Sequence, residues 1–261
     1  MQQVFIVGCP RSGTTLLQSL LAAHPEITSF PETGFFLHLW GDDLKRTLYE
    51  RLVVFFQDIN RPELLETIQS YQGVAGCIKW FSAILDELAA ENGNNIWLEK
   101  TPQHLFYIND IQYHLPDASF IHIQRNPLDT IASLYLATRM PPLQNHSWGE
   151  FWSLEKCVTM WKQSNRATKA CVDNLRHLIV GYEQLTENPP EILTKCCEVI
   201  GVEYCPAMLE DYNTEALRLS LGMPWHNGID RGIMPAKSNY QNVFQPWEID
   251  YINHRLGSDS N

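Results

Sequence analysis

Four short apolar runs punctuate the chain, and each is followed or preceded by residues whose apolar positions recur at helical spacing. Val4–Val7 (VFIV) is continuous rather than alternating, the pattern of a strand covered on both faces. Beyond Gly8–Thr15, Leu16, Leu17, Leu20, Leu21 and His24 mark one face of a helix that Pro25 closes. The second run, NNIWLEK, ends at Lys100, and Thr101-Pro102 opens a helix through Tyr113, since proline suits a first helical turn. The third, ASFIHIQR, ends at Arg125. Asn126-Pro127 then caps a helix with Leu128, Ile131, Ala132 and Tyr135 on its apolar stripe. The fourth, HLIVGYEQL, follows a long helical stretch, Trp148–Leu175. Strands alternating with helices predict a parallel sheet with helices on both faces, whose ligand lies beyond the carboxyl ends of the strands.

Between these units, residues 35–93 are helical in pattern and residues 140–149 (MPPLQNHSWG) read as an irregular loop. Both are expected to cover the acceptor side of the site. A tail from Trp225 to Tyr240, rich in Gly, Asn and Pro, precedes a short final helix, PWEIDYINHRL. With no repeat, low-complexity tract or linker, residues 1–261 are expected to form one α/β domain.

Composition narrows the function. The net charge of -11 argues against a general nucleic-acid or heparin binder, whose affinity would come from basic patches. The seven cysteines are scattered and form no C-x-x-C pair, so they read as reduced thiols packed as small apolar residues. No signal-type stretch and no run of membrane-spanning length is present, and a cytoplasmic setting is expected.

The first strand runs into GCPRSGTT, Gly8–Thr15, with the G-x-x-x-x-G spacing of a phosphate-gripping P-loop. Its glycines allow tight turns, and the N–H groups opening the helix are anion donors. A kinase or ATPase needs a lysine on the outer phosphates, but here Thr14 stands in that place and the loop's cation is Arg11. That suits a shorter 5′ group held without metal. A second anion site is suggested by QRNPLDTIASLY: Arg125 ends a strand, and Ser133 lies roughly 150° from the centre of the helix's apolar stripe. An ordinary strand-end Arg and a surface Ser fit these two positions equally well.

PRSGTT after the first strand, EKTP at a later strand end and R-N-P-x-D-x-x-x-S together resemble the PAPS-dependent sulfotransferases, PAPS being 3′-phosphoadenosine 5′-phosphosulfate. GYEQL and NPPEILTKCCEVIGVEY extend the similarity to about Gly201. AAHPEITSFPET is similar to the branch that contains the tyrosylprotein sulfotransferases and many bacterial enzymes. The resemblance implies a P-loop-type three-layer fold and PAPS as co-substrate, with the product PAP and no metal. It implies that Arg11, Ser12, Gly13, Thr14 and Thr15 grip the 5′ end, that Arg125 and Ser133 grip the 3′-phosphate, and that Tyr182 lies near the nucleotide. Arg231 and Lys237, in DRGIMPAKSNY, are the tail candidates for closing over the 3′-phosphate. Glu32 is implied as general base, His104 is its rival, and Arg11 and Lys100 meet the developing charge. Glu99, beside Lys100, either orients that lysine or forms a solvated charge pair.

The expected acceptor is a small-molecule, carbohydrate or carrier-tethered hydroxyl rather than a secreted protein tyrosine or a highly sulfated glycan. The aromatics of ETGFFLHLW and IKWFSAIL fit either an apolar acceptor mouth or, better, a packed core. A nucleotide kinase or hydrolase and a non-catalytic nucleotide-binding protein are the alternatives, and the sequence leaves the oligomeric state open.

Overall fold

A computed structural model describes residues 1–39, 44–68, 73–139, 151–172, 174–219 and 232–257. The loop 140–149 and Arg231 lie outside the described residues. The chain runs β1 (Gln2–Gly8), α1 (Thr14–Ala22), β2 (Ile27–Ser29), α2 (Leu44–Asp58), α3 (Gly73–Glu91), β3 (Ile96–Lys100), α4 (Ile108–His114), β4 (Ser119–Gln124) and α5 (Pro127–Ala137). It continues through α6 (Leu154–Lys169), β5 (His177–Gly181), α7 (Tyr182–Glu187), α8 (Pro189–Ile200), α9 (Ala207–Glu210), α10 (Tyr212–Leu219) and α11 (Pro246–Gly257).

The sheet order is β2-β3-β1-β4-β5, with every pair parallel. Alternation along the strands sorts their side chains into two cores. Phe5, Val7, Trp97 and Phe120 face α2, α3 and α4, whereas Val4, Ile6, Leu98, Ile121 and Ile123 face α1 and α8. Helices on both faces explain why the strands are apolar throughout rather than alternating. The register pairs Ile6 with Lys100, Gly8 with Ile123 and Gln124 with Gly181, so the strands end together along one edge. That alignment delivers the loop after β1, Lys100 and Arg125 to the same rim.

Some boundaries differ from expectation. The edge strand β2 is three residues long, too short to leave a periodicity. The fourth apolar run is strand only to Gly181, and its YEQL portion is α7. Residues Pro102–Tyr107 form a 3-10 turn before α4. The helix expected over Trp148–Leu175 is Leu154–Lys169, opened by Ser153, whose Oγ accepts from Lys156 N. Of the aromatics in ETGFFLHLW and IKWFSAIL, Phe35, Phe36 and Phe81 are core: Phe35 stacks on Phe81 at 4.1 Å, and Phe36 packs edge-on to Phe5 and Phe35. All seven cysteines are free thiols. Among the described residues no helix is long and apolar enough to cross a membrane.

Candidate active site

The loop after β1 holds its shape through close backbone contacts. A Cβ at Gly8 would meet Ile123 O at 2.6 Å, and one at Gly13 would meet the Tyr182 ring at 2.3 Å. Gly13 has φ 102 and Arg11 has φ 72, so two of three consecutive loop residues take left-handed conformations that bend the chain into a cradle. Ser12 is buried and its hydroxyl donates to Cys9 O at 2.6 Å, an internal tie that pins the loop to the end of its strand. Thr14 and Thr15 open α1.

Arg11 and Arg125 converge at one end of this cradle. Arg11 Nε donates to Ser133 Oγ at 3.3 Å, and Arg125 Nη1 donates to Arg11 O at 3.4 Å. Burial, and then the neighbouring Arg125, press the Arg11 guanidinium below its usual range. The Arg125 guanidinium lies 4.6 Å over the Tyr182 ring, while its Nε is buried without a partner among the described residues. Two cations held together, one with an orphaned donor, is an arrangement that favours an anion between them. The residues expected at the two phosphate positions therefore share one surface.

The tail docks on the same rim. Asp129, in the first turn of α5, accepts from Ser238 Oγ at 3.1 Å and from the N–H of Asn239 at 2.8 Å. Ala236 N donates to Thr186 Oγ1 at 3.1 Å. Lys237 lies exposed between these anchors, next to the helix start that follows Arg125.

At the other end of the cradle, Lys100 pairs with Glu32 and approaches Thr15 Oγ1 at 3.4 Å. Lys100 is buried, whereas the Glu32 side chain is 36% exposed, open to an incoming molecule. Glu99 does not orient Lys100 and is not a solvated charge. Adjacent strand residues point to opposite faces, and Glu99 is 1% exposed on the other side of β3. Its Oε1 accepts from Thr33 N, Thr33 Oγ1 and Thr101 Oγ1, and its Oε2 pairs with His104 Nδ1 at 2.9 Å. Burial opposes its charge, but the His104 ring and the hydrogen bonds from His104, Thr101 and Thr33 outweigh this and hold the carboxyl below its usual range.

This buried group sets the turn that carries Glu32. Gly34 N donates to Thr101 Oγ1 at 3.0 Å and Phe36 N to His104 Nε2 at 3.2 Å. Arg51, from α2, donates to the carbonyls of Glu32 and Thr33. His104 is fully buried with both ring nitrogens engaged, so the structure brings Glu32, and not His104, to the rim beside Lys100.

The chain belongs to the sulfotransferase family, whose pattern it matches over residues 3–206. The nodulation protein NoeE of Sinorhizobium fredii is 27% identical over 242 residues, spanning 83% of this chain and 54% of NoeE, so the chain covers about half the length of that relative. The sulfotransferase domain of the Synechococcus PCC 7002 olefin synthase shares the fold, with a TM-score of 0.66 at 24% identity, covering 98% of this chain and 94% of that one. Mouse sulfotransferase SULT7A1, solved in complex with PAP, also shares it, with a TM-score of 0.60 at 15% identity over 98% of this chain and 84% of the other.

Proposed function

We propose that the protein transfers a sulfuryl group from PAPS to an acceptor hydroxyl. The observation that carries this reading is the junction of Arg11, Arg125 and Ser133 beside a lysine-free phosphate loop. Kinase chemistry would need a loop cation reaching the last of three phosphates. A donor phosphorylated at both 5′ and 3′ positions instead matches two guanidiniums at one end of the cradle. Arg11, Ser12, Gly13, Thr14 and Thr15 would hold its 5′ group, Arg125 and Ser133 its 3′-phosphate, and Tyr182 would border the nucleoside. Lys237 and Arg231 belong to the tail that would close over the 3′ side.

When bound, the donor supplies an electrophilic sulfur and a phosphate leaving group. Glu32 accepts the acceptor's proton as the hydroxyl attacks. Its partial exposure and its partner Lys100 support that role over His104, whose ring acts through Glu99 to position the turn. Lys100 reaches both Thr15 and Glu32, so a single cation spans the cradle and the base. Lys100 and Arg11 neutralise the charge that develops on the leaving oxygen, in the place that magnesium takes in a kinase. The reaction is therefore proposed to run without metal, on a small-molecule, carbohydrate or carrier-tethered hydroxyl.

Calorimetric titration with PAP, AMP and Mg-ATP tests the donor site. Metal-free PAP binding, much tighter than AMP and weakened by Arg125→Ala, is expected. Firm Mg-ATP binding with no preference for a 3′-phosphate overturns the reading in favour of a kinase. Radiolabelled sulfuryl transfer across an acceptor panel then tests the chemistry, and donor binding with no transfer to any hydroxyl points to a non-catalytic protein.

A further inference from the structure

A second cluster lies beneath the sheet rim and shares no residue with the phosphate loop, the Arg125 group or the Lys100–Glu32 pair. His122 of β4, His177 at the start of β5 and Cys171, just past α6, bring two ring nitrogens and one sulfur within 4.8 Å of one another. Strand register explains the first part of this convergence. Phe120 sits directly opposite His177, and His122 follows Phe120 by two residues, so all three side chains share a face. The Phe120 ring stacks on His177 at 4.8 Å and fixes its plane. The C-terminal end of α6 then lays Cys171 over the pair.

The two imidazoles already face each other, His122 Nε2 lying 2.8 Å from His177 Nδ1. Their outer nitrogens are also partnered: His122 Nδ1 by Thr168 Oγ1 at 3.3 Å, and His177 Nε2 by the Gln112 amide at 3.1 Å. Such outer partners fix the tautomer and orientation of metal-binding imidazoles. Here they leave His122 Nε2 and His177 Nδ1 as the inward pair. Thr168 can accept from an outer N–H as it stands, and Gln112 does so once its amide turns its oxygen to the ring.

We infer that His122, Cys171 and His177 form a site for a zinc-like transition ion, distinct from the sulfotransferase centre. Two neutral imidazoles and a thiolate are the donors that zinc and cobalt favour, whereas calcium and magnesium take oxygen ligands. A tetrahedral centre with ordinary zinc–nitrogen and zinc–sulfur lengths needs donors about 3.3–3.7 Å apart. That lies between the 2.8 Å of the imidazole pair and the 4.8 Å limit of the trio, so modest side-chain rotations suffice. Binding displaces the Cys171 proton to solvent, and the partial exposure of Cys171 and His177 leaves a fourth position for water. The ion would tie β4, β5 and α6 together and act as a clamp on that side of the sheet, with no part in sulfuryl transfer.

The test is titration of the chelator-stripped full chain with cobalt, followed by absorption. The expected result is one equivalent bound, with tetrahedral visible bands and a thiolate-to-cobalt charge-transfer band that zinc abolishes. Cys171→Ser should remove the charge-transfer band, and Cys205→Ser, at another partly buried thiol, should leave it intact. Thr168→Val should weaken cobalt binding about tenfold, the scale expected for loss of an outer partner. Absence of the band with cobalt in large excess, or a band that survives Cys171→Ser, overturns the proposal. Cys171 is partly exposed and packs only against the edge of the core, so its near-isosteric serine variant is expected to fold, which circular dichroism checks directly.

Discussion

Lys100, at the end of β3, forms an ion pair with Glu32, on the turn after β2, and the same ammonium approaches Thr15 on the phosphate loop. The proposed base and one proposed charge stabiliser are thus held in register with the phosphate loop. Removing the base without changing its shape separates the two roles. Glu32→Gln is expected to lower turnover by about 10²–10⁴-fold, the usual contribution of a positioned general base, with PAP affinity little changed. Single-turnover kinetics with calorimetry of PAP read both quantities. A Glu32→Gln protein with undiminished turnover removes Glu32 from the chemistry and leaves the donor site untouched.

Arg125 supplies the test of the 3′-phosphate. Its buried Nε has no partner among the described residues, and its guanidinium sits against Tyr182. Hydrogen bonds to a charged group contribute about 1.5–3 kcal/mol each, so Arg125→Ala is expected to weaken PAP binding by roughly 10–150-fold. AMP, which lacks the 3′ group, should bind the variant and the parent alike. Equal losses for both ligands would place Arg125 in loop architecture rather than in 3′ recognition.

The contact between Gly13 and Tyr182 predicts a steric outcome. A Cβ at Gly13 falls 2.3 Å from the ring, and the residue's φ of 102 disfavours any L side chain. Gly13→Ala is expected to destabilise the protein by about 1–3 kcal/mol and to abolish measurable PAP binding. Denaturant unfolding and calorimetry measure the two effects. Tyr182→Ala in the same chain relieves the clash but not the backbone strain, so it should restore stability only in part.

The loop and the three strand ends were legible in the sequence because each is a continuous segment with its chemistry at a fixed offset from an apolar run. Arg11, Lys100 and Arg125 could be placed at one rim for that reason. What escaped was non-local. Arg51 binds two backbone carbonyls 18 and 19 residues away, a relation that leaves no side-chain pattern. Asp129 stands visibly in RNPLD, yet its partners lie 109–111 residues later in the tail. Glu99 misled because it is the sequence neighbour of Lys100, and a strand sends neighbours to opposite faces. Strand β2 was missed for lack of length, although it leads into the segment that carries Glu32.

Glu99 also gives the protein an acid-sensitive element. Its carboxyl is ionised more readily in the folded chain than in the unfolded one, so below the ordinary carboxylate range the unfolded state binds the extra proton. The stability that Glu99 contributes is therefore fully present above about pH 4.5 and is lost as the pH falls through its lower folded value. Glu99→Gln keeps the shape but removes the charge that draws donors from Thr33, Thr101 and His104, and it is expected to cost about 1–3 kcal/mol at pH 7. The loss should shrink as the pH falls through the lowered folded value, where the parent's carboxylate also becomes protonated. Urea unfolding at a series of pH values checks this, and turnover near neutral pH gives a second reading. If the network positions Glu32, kcat falls in Glu99→Gln while PAP affinity holds; if kcat is unchanged, the network serves stability alone.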